Sequence, residues 1–263
     1  MDFSLKNIGL TILCIYSMIC GWLYFYQDNI LFNPYRLPSD YTFESEQTFQ
    51  LKVAKNVSLN CLWIRDATPK GVILYLHGNK RSINRSLPEA MNMTQLGHDI
   101  LMVDYRGFGK SGGKIESEVQ LYRDIQKVYD YLQQDYAEHQ IIIVGFSLGA
   151  VMASYLAKQN HPSALVLVAP FKDSYALKNY HFSILIPNFL VKYPLDNAKH
   201  LQKVTCQTLI LHGKRDEVVP FTHAVTLADI NRKNFQLELL EQETHRSIMQ
   251  SAEFREKIQY FLQ

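Results

Sequence analysis

The stretch IIIVGFSLGAVMASYLA, residues 141 to 157, constrains this chain more than any other. An unbroken apolar run at 141–145 passes straight into Gly145-Phe146-Ser147-Leu148-Gly149, and a helix-forming segment then continues to about Gln159. The pattern reads as strand, sharp turn, helix. A serine at the apex of such a turn sits on strained backbone, and bulk two residues to either side would collide with the neighbouring strand and helix. That requirement explains both glycines. The plain alternative is a helix start with Ser147 as its N-cap.

The rest of the chain repeats the alternation. Residues 47–66 form two apolar–polar alternating runs split by Lys55-Asn56, which predicts an antiparallel hairpin. GVILYLHGN, from Gly71, opens with a continuous apolar run, as expected of a strand covered on both faces. Segments 88–96 and 117–134 read as helices, the second with Val119, Leu121, Ile125, Val128, Tyr129 and Leu132 near helical spacing. Strands are predicted at 99–105, 141–145, 163–170, 208–213 and in QLELL, and helices in FTHAVTLADI and from Ser247 onward. Such alternation builds a mostly parallel sheet with helices on both faces. Residues 171–204 interrupt it with Phe171, Tyr175, Tyr180, Phe182, Ile184, Leu185, Ile186, Phe189, Leu190 and Tyr193, read as a small cap of helices and loops.

The chain starts differently. From Asn7 to Gln27 no residue is charged, a run about long enough to cross a bilayer core, and it ends in the aromatic GWLYFYQ suited to a membrane interface. The reading is an uncleaved single-pass anchor over 1–27, with a cleaved signal peptide or a buried helix as rivals. Lys6 on one side and Arg36 on the other do not fix its orientation. Residues 28–46, with two prolines, read as a linker, and 47–263 as the folded domain.

Composition narrows the classes further. With 263 residues, 47% hydrophobic and 20% charged, a sizeable core is expected. The net charge of +2 and the lack of a basic run exclude an ordinary nucleic-acid binder. Cys14, Cys20, Cys61 and Cys206 make no ligand cluster, so no zinc site is expected, and a Cys61–Cys206 disulfide is left open. DYRGFGKSGG contains a literal G-x-G-x-x-G at 107–112. It follows a later strand, however, and the acids downstream, Asp124 and Asp130, fall inside a helix, so a dinucleotide fingerprint is rejected. A P-loop would need glycine where Asp104 stands.

A serine hydroxyl needs a base, and the base needs an orienting acid. On a strand–elbow–helix scaffold the order is serine, acid, histidine. Asp216 lies just past the strand 208–213, with Glu217 a weaker rival and Asp173 and Asp196 placed in the cap. His245 lies in the last loop before the final helix. His161, His181, His200 and His223 also follow Ser147 but read as surface or packing residues, and His212 precedes Asp216. Two backbone donors are needed for an oxyanion. They are assigned to the N–H groups of Leu148 and Asn79, with Lys80 as the fallback.

With LHGN (76–79), DYRGFGKS (104–111), GFSLG (145–149), HGKRDEVVP (212–220) and THRS (244–247), the chain resembles the α/β-hydrolase superfamily over about residues 71–250. It looks most like its membrane-anchored branch with an HGN oxyanion turn. The resemblance implies the α/β-hydrolase fold, a DYRG loop that supports the active-site entrance, and a Ser147–Asp216–His245 triad without metal or cofactor. It departs from the branch in HGNKRS, where HGNAGN is common, and in ETHRS, where G-x-H-N is common. Both departures place charge near the entrance. The expected activity is hydrolysis of a carboxylic ester or thioester of a small-molecule or lipid-like acyl substrate. A peptidase or amidase with the same triad and a non-catalytic tethered interaction module are the rival classes.

Overall fold

The computed structural model describes residues 5–38, 40–43, 47–182 and 187–263. Ile184, Leu185 and Ile186 of the cap, residues 1–4 of the anchor and 44–46 of the linker lie outside them.

Eight strands form one sheet in the order β1-β2-β4-β3-β5-β6-β7-β8, with β1 Gln47–Ala54, β2 Val57–Ile64, β3 Val72–Leu76, β4 Asp99–Val103, β5 Ile141–Phe146, β6 Ala164–Val168, β7 Gln207–Gly213 and β8 Phe235–Leu240. The hairpin β1–β2 is antiparallel and β2 pairs antiparallel with β4, while every pairing from β4 to β8 is parallel. The central strands are apolar throughout because both of their faces are covered. In β3, Val72, Leu74 and Leu76 point into one core and Ile73 and Tyr75 into the other. The first core takes α3 (Glu118–Leu132), α4 (Leu148–Gln159), α6 (Asn197–Leu201) and α7 (Thr222–Ala228), and α5 (Ser174–His181) belongs to the cap. The second takes α2 (Ile83–Met91) and α8 (Ala252–Phe261). Strand order reverses at β3, which has β4 on one side and β5 on the other. Ligand crevices of parallel sheets lie beyond the strand ends at such a point.

Several elements differ from the sequence reading. The helix expected from residue 88 begins at Ile83 and carries Pro88 inside it. Its start is held by a residue far along the chain: the Ile83 N–H donates to Asp104 Oδ1 at 2.8 Å. In α3, Val119 is exposed, since it shares a helical stripe with exposed Arg123 and Asp130 rather than with the buried residues. Cys61 and Cys206 are free thiols.

The N-terminal helix α1 runs Leu5–Leu31, past the expected end at residue 27, and stops where Asn33 takes φ +35° before Pro34. Residues 28–38 are docked rather than loose. Phe32 is buried, with its ring 4.9 Å from that of Tyr193, Leu37 N–H donates to Gly109 O, and Gly109 N–H donates to Tyr35 O. Asn7–Leu31 is long and apolar enough to cross a membrane and is almost entirely exposed.

The DYRG loop is a brace. Asp104 accepts from Ile83 N–H and, at 3.3 Å, from Asn60 Nδ2, and Ser111 Oγ donates to Asp104 O while accepting from Asn60 N–H. Arg106 pairs with Asp124 of α3, and Lys110 Nζ donates to Tyr41 O. Gly109 is obligatory: at φ +49°, a Cβ would lie 1.9 Å from Asp104 Oδ2. Burial pushes the Asp104 carboxyl up to about 6 against these donors.

Candidate active site

Ser147 occupies the turn between β5 and α4 with φ +52° and ψ −111°, a left-handed backbone that a non-glycine residue adopts only under strain. The two glycines make the turn possible. A Cβ on Gly149 would lie 1.9 Å from the Leu76 carbonyl oxygen of β3, and one on Gly145 would lie 2.5 Å from Gly149 O and 2.6 Å from Ala153 Cβ. The close approach sets Ser147 beside the loop that follows β3.

Asp216 follows β7 and His245 follows β8, so three loops at one end of the sheet bring the three side chains together. His245 Nε2 lies 3.1 Å from Ser147 Oγ, and His245 Nδ1 lies 2.7 Å from Asp216 Oδ2. All three are buried. The other oxygen of Asp216 accepts from Val218 N–H at 2.8 Å and Val219 N–H at 2.7 Å. Burial alone would raise this carboxyl, but His212, His245 and the Val219 N–H outweigh it and hold it well below the usual carboxylate range. The ring of Phe146 packs 5.1 Å from that of His245, tilted by 41°.

The rival acids are accounted for. Asp173 and Asp196 cap helices, accepting from Ala176 N–H and Lys199 N–H, and Glu217 is exposed. Of the histidines set aside, His200 is buried against Ser154, Tyr122 and Tyr155, His223 accepts from Lys172 N–H, and His181 Nε2 meets Val218 O. His212 is the residue whose neighbourhood sequence order obscured. Its Nε2 lies 3.2 Å from Asp216 Oδ2 and 2.9 Å from Val219 O, making it a second partner of the acid.

For the oxyanion, Leu148 is the first residue of α4, so its N–H has no acceptor within the helix. The Asn79 N–H makes no hydrogen bond among the described residues, whereas Lys80 N–H donates to Phe32 O at 3.2 Å. That bond removes the fallback donor. The turn is steadied from below, where Tyr105 Oη donates to His77 O at 2.7 Å and His77 Nδ1 meets Gly78 O at 2.7 Å. Burial pushes the His77 imidazole down to about 4, so it is neutral. Of the two charges in the HGNKRS departure, Lys80 lines the cavity at the serine, as the sequence led one to expect, whereas Arg81 pairs with buried Glu89 at 2.8 Å, and Glu89 also accepts from Tyr75 Oη at 2.5 Å.

Above Ser147 opens a cavity of about 420 Å³. Cap and core residues such as Phe171, Leu177, Leu190 and Val218 line it, with Asn79 and Leu148 at its floor. One wall was not foreseen: Leu23, Gln27, Ile30 and Leu31 come from α1. Nothing in the charge-free run marks its end as part of a pocket. No cluster of metal-ligating side chains occurs among the described residues.

A family model described as serine aminopeptidase, S33, matches residues 67–192, a span that holds Ser147 but neither Asp216 nor His245. The chain is 25% identical over 226 residues to alpha/beta hydrolase domain-containing protein 17C of Xenopus tropicalis, covering 83% of this chain and 70% of that protein. Protein 17B of the same organism is 25% identical over 224 residues, covering 82% and 75%. An esterase of Pyrococcus furiosus superposes with a TM-score of 0.70 at 21% identity, covering 88% of this chain and 97% of the esterase. Its architecture is the α/β-hydrolase fold. The chain thus has the α/β-hydrolase fold and is similar in sequence to α/β hydrolases.

Proposed function

We propose that the chain is a serine hydrolase that cleaves carboxylic esters or thioesters through an acyl-enzyme on Ser147. The observation that carries this reading is the continuous line from Ser147 Oγ to His245 to Asp216, at 3.1 and 2.7 Å. In the proposed first step Ser147 Oγ attacks the substrate carbonyl carbon while its proton passes to His245 Nε2. Asp216 keeps the Nδ1 proton in place and stabilises the imidazolium. The oxyanion accepts from the Leu148 and Asn79 N–H groups, where the N-terminus of α4 adds its dipole. The tetrahedral intermediate collapses, the bond to the leaving oxygen or sulfur breaks, and His245 returns the proton to that atom. Water then attacks the acyl carbon with His245 as base, releasing the acid and restoring Ser147.

The aminopeptidase description of the matching family model raises a peptidase as the second reading. An aminopeptidase has to hold a peptide ammonium, and no carboxylate lines the cavity among the described residues. That favours the ester reading. Residues 7–31 are proposed as a membrane anchor that remains on the protein, because the helix end is built into the cavity wall.

The test is labelling of detergent-solubilised protein with a small fluorophosphonate. Wild type is expected to label, and Ser147→Ala and His245→Ala to lose labelling. A folded wild type that does not label overturns the proposal. Hydrolysis of aminoacyl amides in preference to esters would move it to the peptidase reading.

A further inference from the structure

We infer that α1 is part of the substrate site. The cavity at Ser147 opens to the bilayer between the end of α1 and the cap, and the substrate is a long-chain acyl ester drawn from the leaflet. The inference rests on the serine hydrolase reading above.

The first observation is the two-sidedness of the helix end. Leu23, Gln27, Ile30 and Leu31 recur at the spacing of one helical stripe, and all four line the cavity that holds Ser147. The opposite side carries Phe25, exposed by 82%, with Trp22 next to it, exposed by 57%. A helix that only tethers a domain needs no such division.

The second observation is how firmly that end is held. Gln27 Nε2 donates to Leu190 O at 2.6 Å and Gln27 Oε1 accepts from Lys192 N–H at 2.8 Å, so the one amide on the stripe is satisfied by the cap. Lys192 Nζ meets both oxygens of Asp28 at 2.9 and 3.0 Å. What remains on the stripe toward the cavity is aliphatic, which suits a hydrocarbon chain rather than a polar ligand.

The third is depth. A helix of 27 residues is about 40 Å long against a hydrocarbon core of about 30 Å. The aromatic segment at Trp22–Tyr26 has the composition of a membrane interface. The cavity therefore lies at headgroup level, within reach of the leaflet. Phe189 of the cap, 82% exposed and next to the residue that Gln27 holds, extends the apolar rim there. An exposed phenylalanine so placed is costly in water and covered at a bilayer surface. A cavity of about 420 Å³ falls in the usual range for binding a ligand of drug or lipid-tail size, roughly 300–1,000 Å³.

The experiment uses the full chain in phosphatidylcholine vesicles with p-nitrophenyl butyrate and p-nitrophenyl palmitate. Rates are taken per site labelled by fluorophosphonate, so that misfolded protein does not enter them. Leu23→Trp and Ile30→Trp fill the wall, and the palmitate-to-butyrate ratio of kcat/KM is expected to fall about tenfold, carried mainly by KM. Leu23→Ala and Ile30→Ala, which add no bulk, are expected to lower the same ratio several-fold by removing contacts with the chain. Phe25→Trp, on the opposite side, is expected to leave the ratio within about twofold. A ratio unmoved by all four wall substitutions, or moved equally by Phe25→Trp, overturns the inference while leaving the hydrolase intact. A wild type that neither labels nor cleaves butyrate overturns the hydrolase reading, and the inference falls with it.

Discussion

At the scale of single residues, the proposed chemistry turns on Asp216. Its carboxylate takes two backbone N–H groups on one oxygen and two histidines on the other, so it is held both in place and ionised. Asp216→Asn keeps the shape but presents an amide where His245 Nδ1–H needs an acceptor. The expected result is a fall in kcat of about 10³–10⁴-fold with the circular dichroism spectrum unchanged, measured on a short ester. A fall of less than tenfold would mean that another group orients His245. His200 tests burial rather than catalysis. Burial among Tyr122, Tyr155 and Ser154 pushes its imidazole down to about 4, and nearby Lys158 and Lys199 push the same way. The unfolded chain therefore takes up a proton near pH 6.5 that the native one refuses until about 4. Between those values the unfolded state binds more protons, so this residue's share of stability is present above pH 6.5 and is lost as pH falls. By pH 5 the loss is about 2 kcal/mol. His200→Gln is expected to remove that share of the slope in urea unfolding at pH 7.5 and pH 5, and an unchanged slope would contradict it.

At the scale of elements, the elbow depends on how closely α4 lies against β3. Gly149→Ala sets a Cβ 1.9 Å from the Leu76 carbonyl oxygen, which the parallel pairing of β3 with β4 and β5 holds in place. A loss of more than about 4 kcal/mol in unfolding free energy is expected. Gly112→Ala is the comparison, since its Cβ would meet nothing closer than Ser58 O at 3.7 Å, and it is expected to change stability by about 1 kcal/mol or less. The elements were largely legible before the structure was known because both of their signals are local. Unbroken apolar runs marked β3 to β7, and turn residues marked their ends. Where legibility failed, the cause was a contact distant in sequence. The α2 start is held by Asp104, twenty-one residues further on, while Ser82 at the N-cap turns its hydroxyl to Asn84 Oδ1 and makes no side-chain cap bond. That Ser147, Asp216 and His245 meet was readable from their order and from the strands they follow. His212 was not, because proximity to Asp216 Oδ2 depends on how the loop after β7 folds back. The cavity wall on α1 was hidden for a plainer reason: an apolar stripe looks the same in sequence whether it faces lipid or a pocket.

At the scale of the whole molecule, the question is where the bilayer meets the fold. The chain has two tryptophans, one at each extreme of environment: Trp22 is 57% exposed on α1, and Trp63 is buried in the sheet core. In vesicles containing brominated phospholipids, Trp63→Phe leaves Trp22 as the only tryptophan to excite. Its fluorescence is expected to be quenched most by bromines near the headgroup end of the acyl chain. The reverse variant, Trp22→Phe, is expected to be quenched little. Absence of quenching in the first would remove the membrane reading of α1 and leave the fold and the hydrolase reading untouched.

Membrane anchors are commonly treated as interchangeable parts, so that one tail replaces another when a protein is moved to a new host or freed for crystallisation. The bonds from Gln27 and Asp28 to the cap, and from Lys80 to Phe32, make the anchor proposed for α1 a poor candidate for such exchange. A grafted helix would have to bring an amide at position 27 and aliphatic side chains at 23, 30 and 31 in register with the pocket. Without them the graft would return a correctly located protein with a hole beside its serine. On this reading the last turns of α1 belong to the hydrolase body as much as to the anchor.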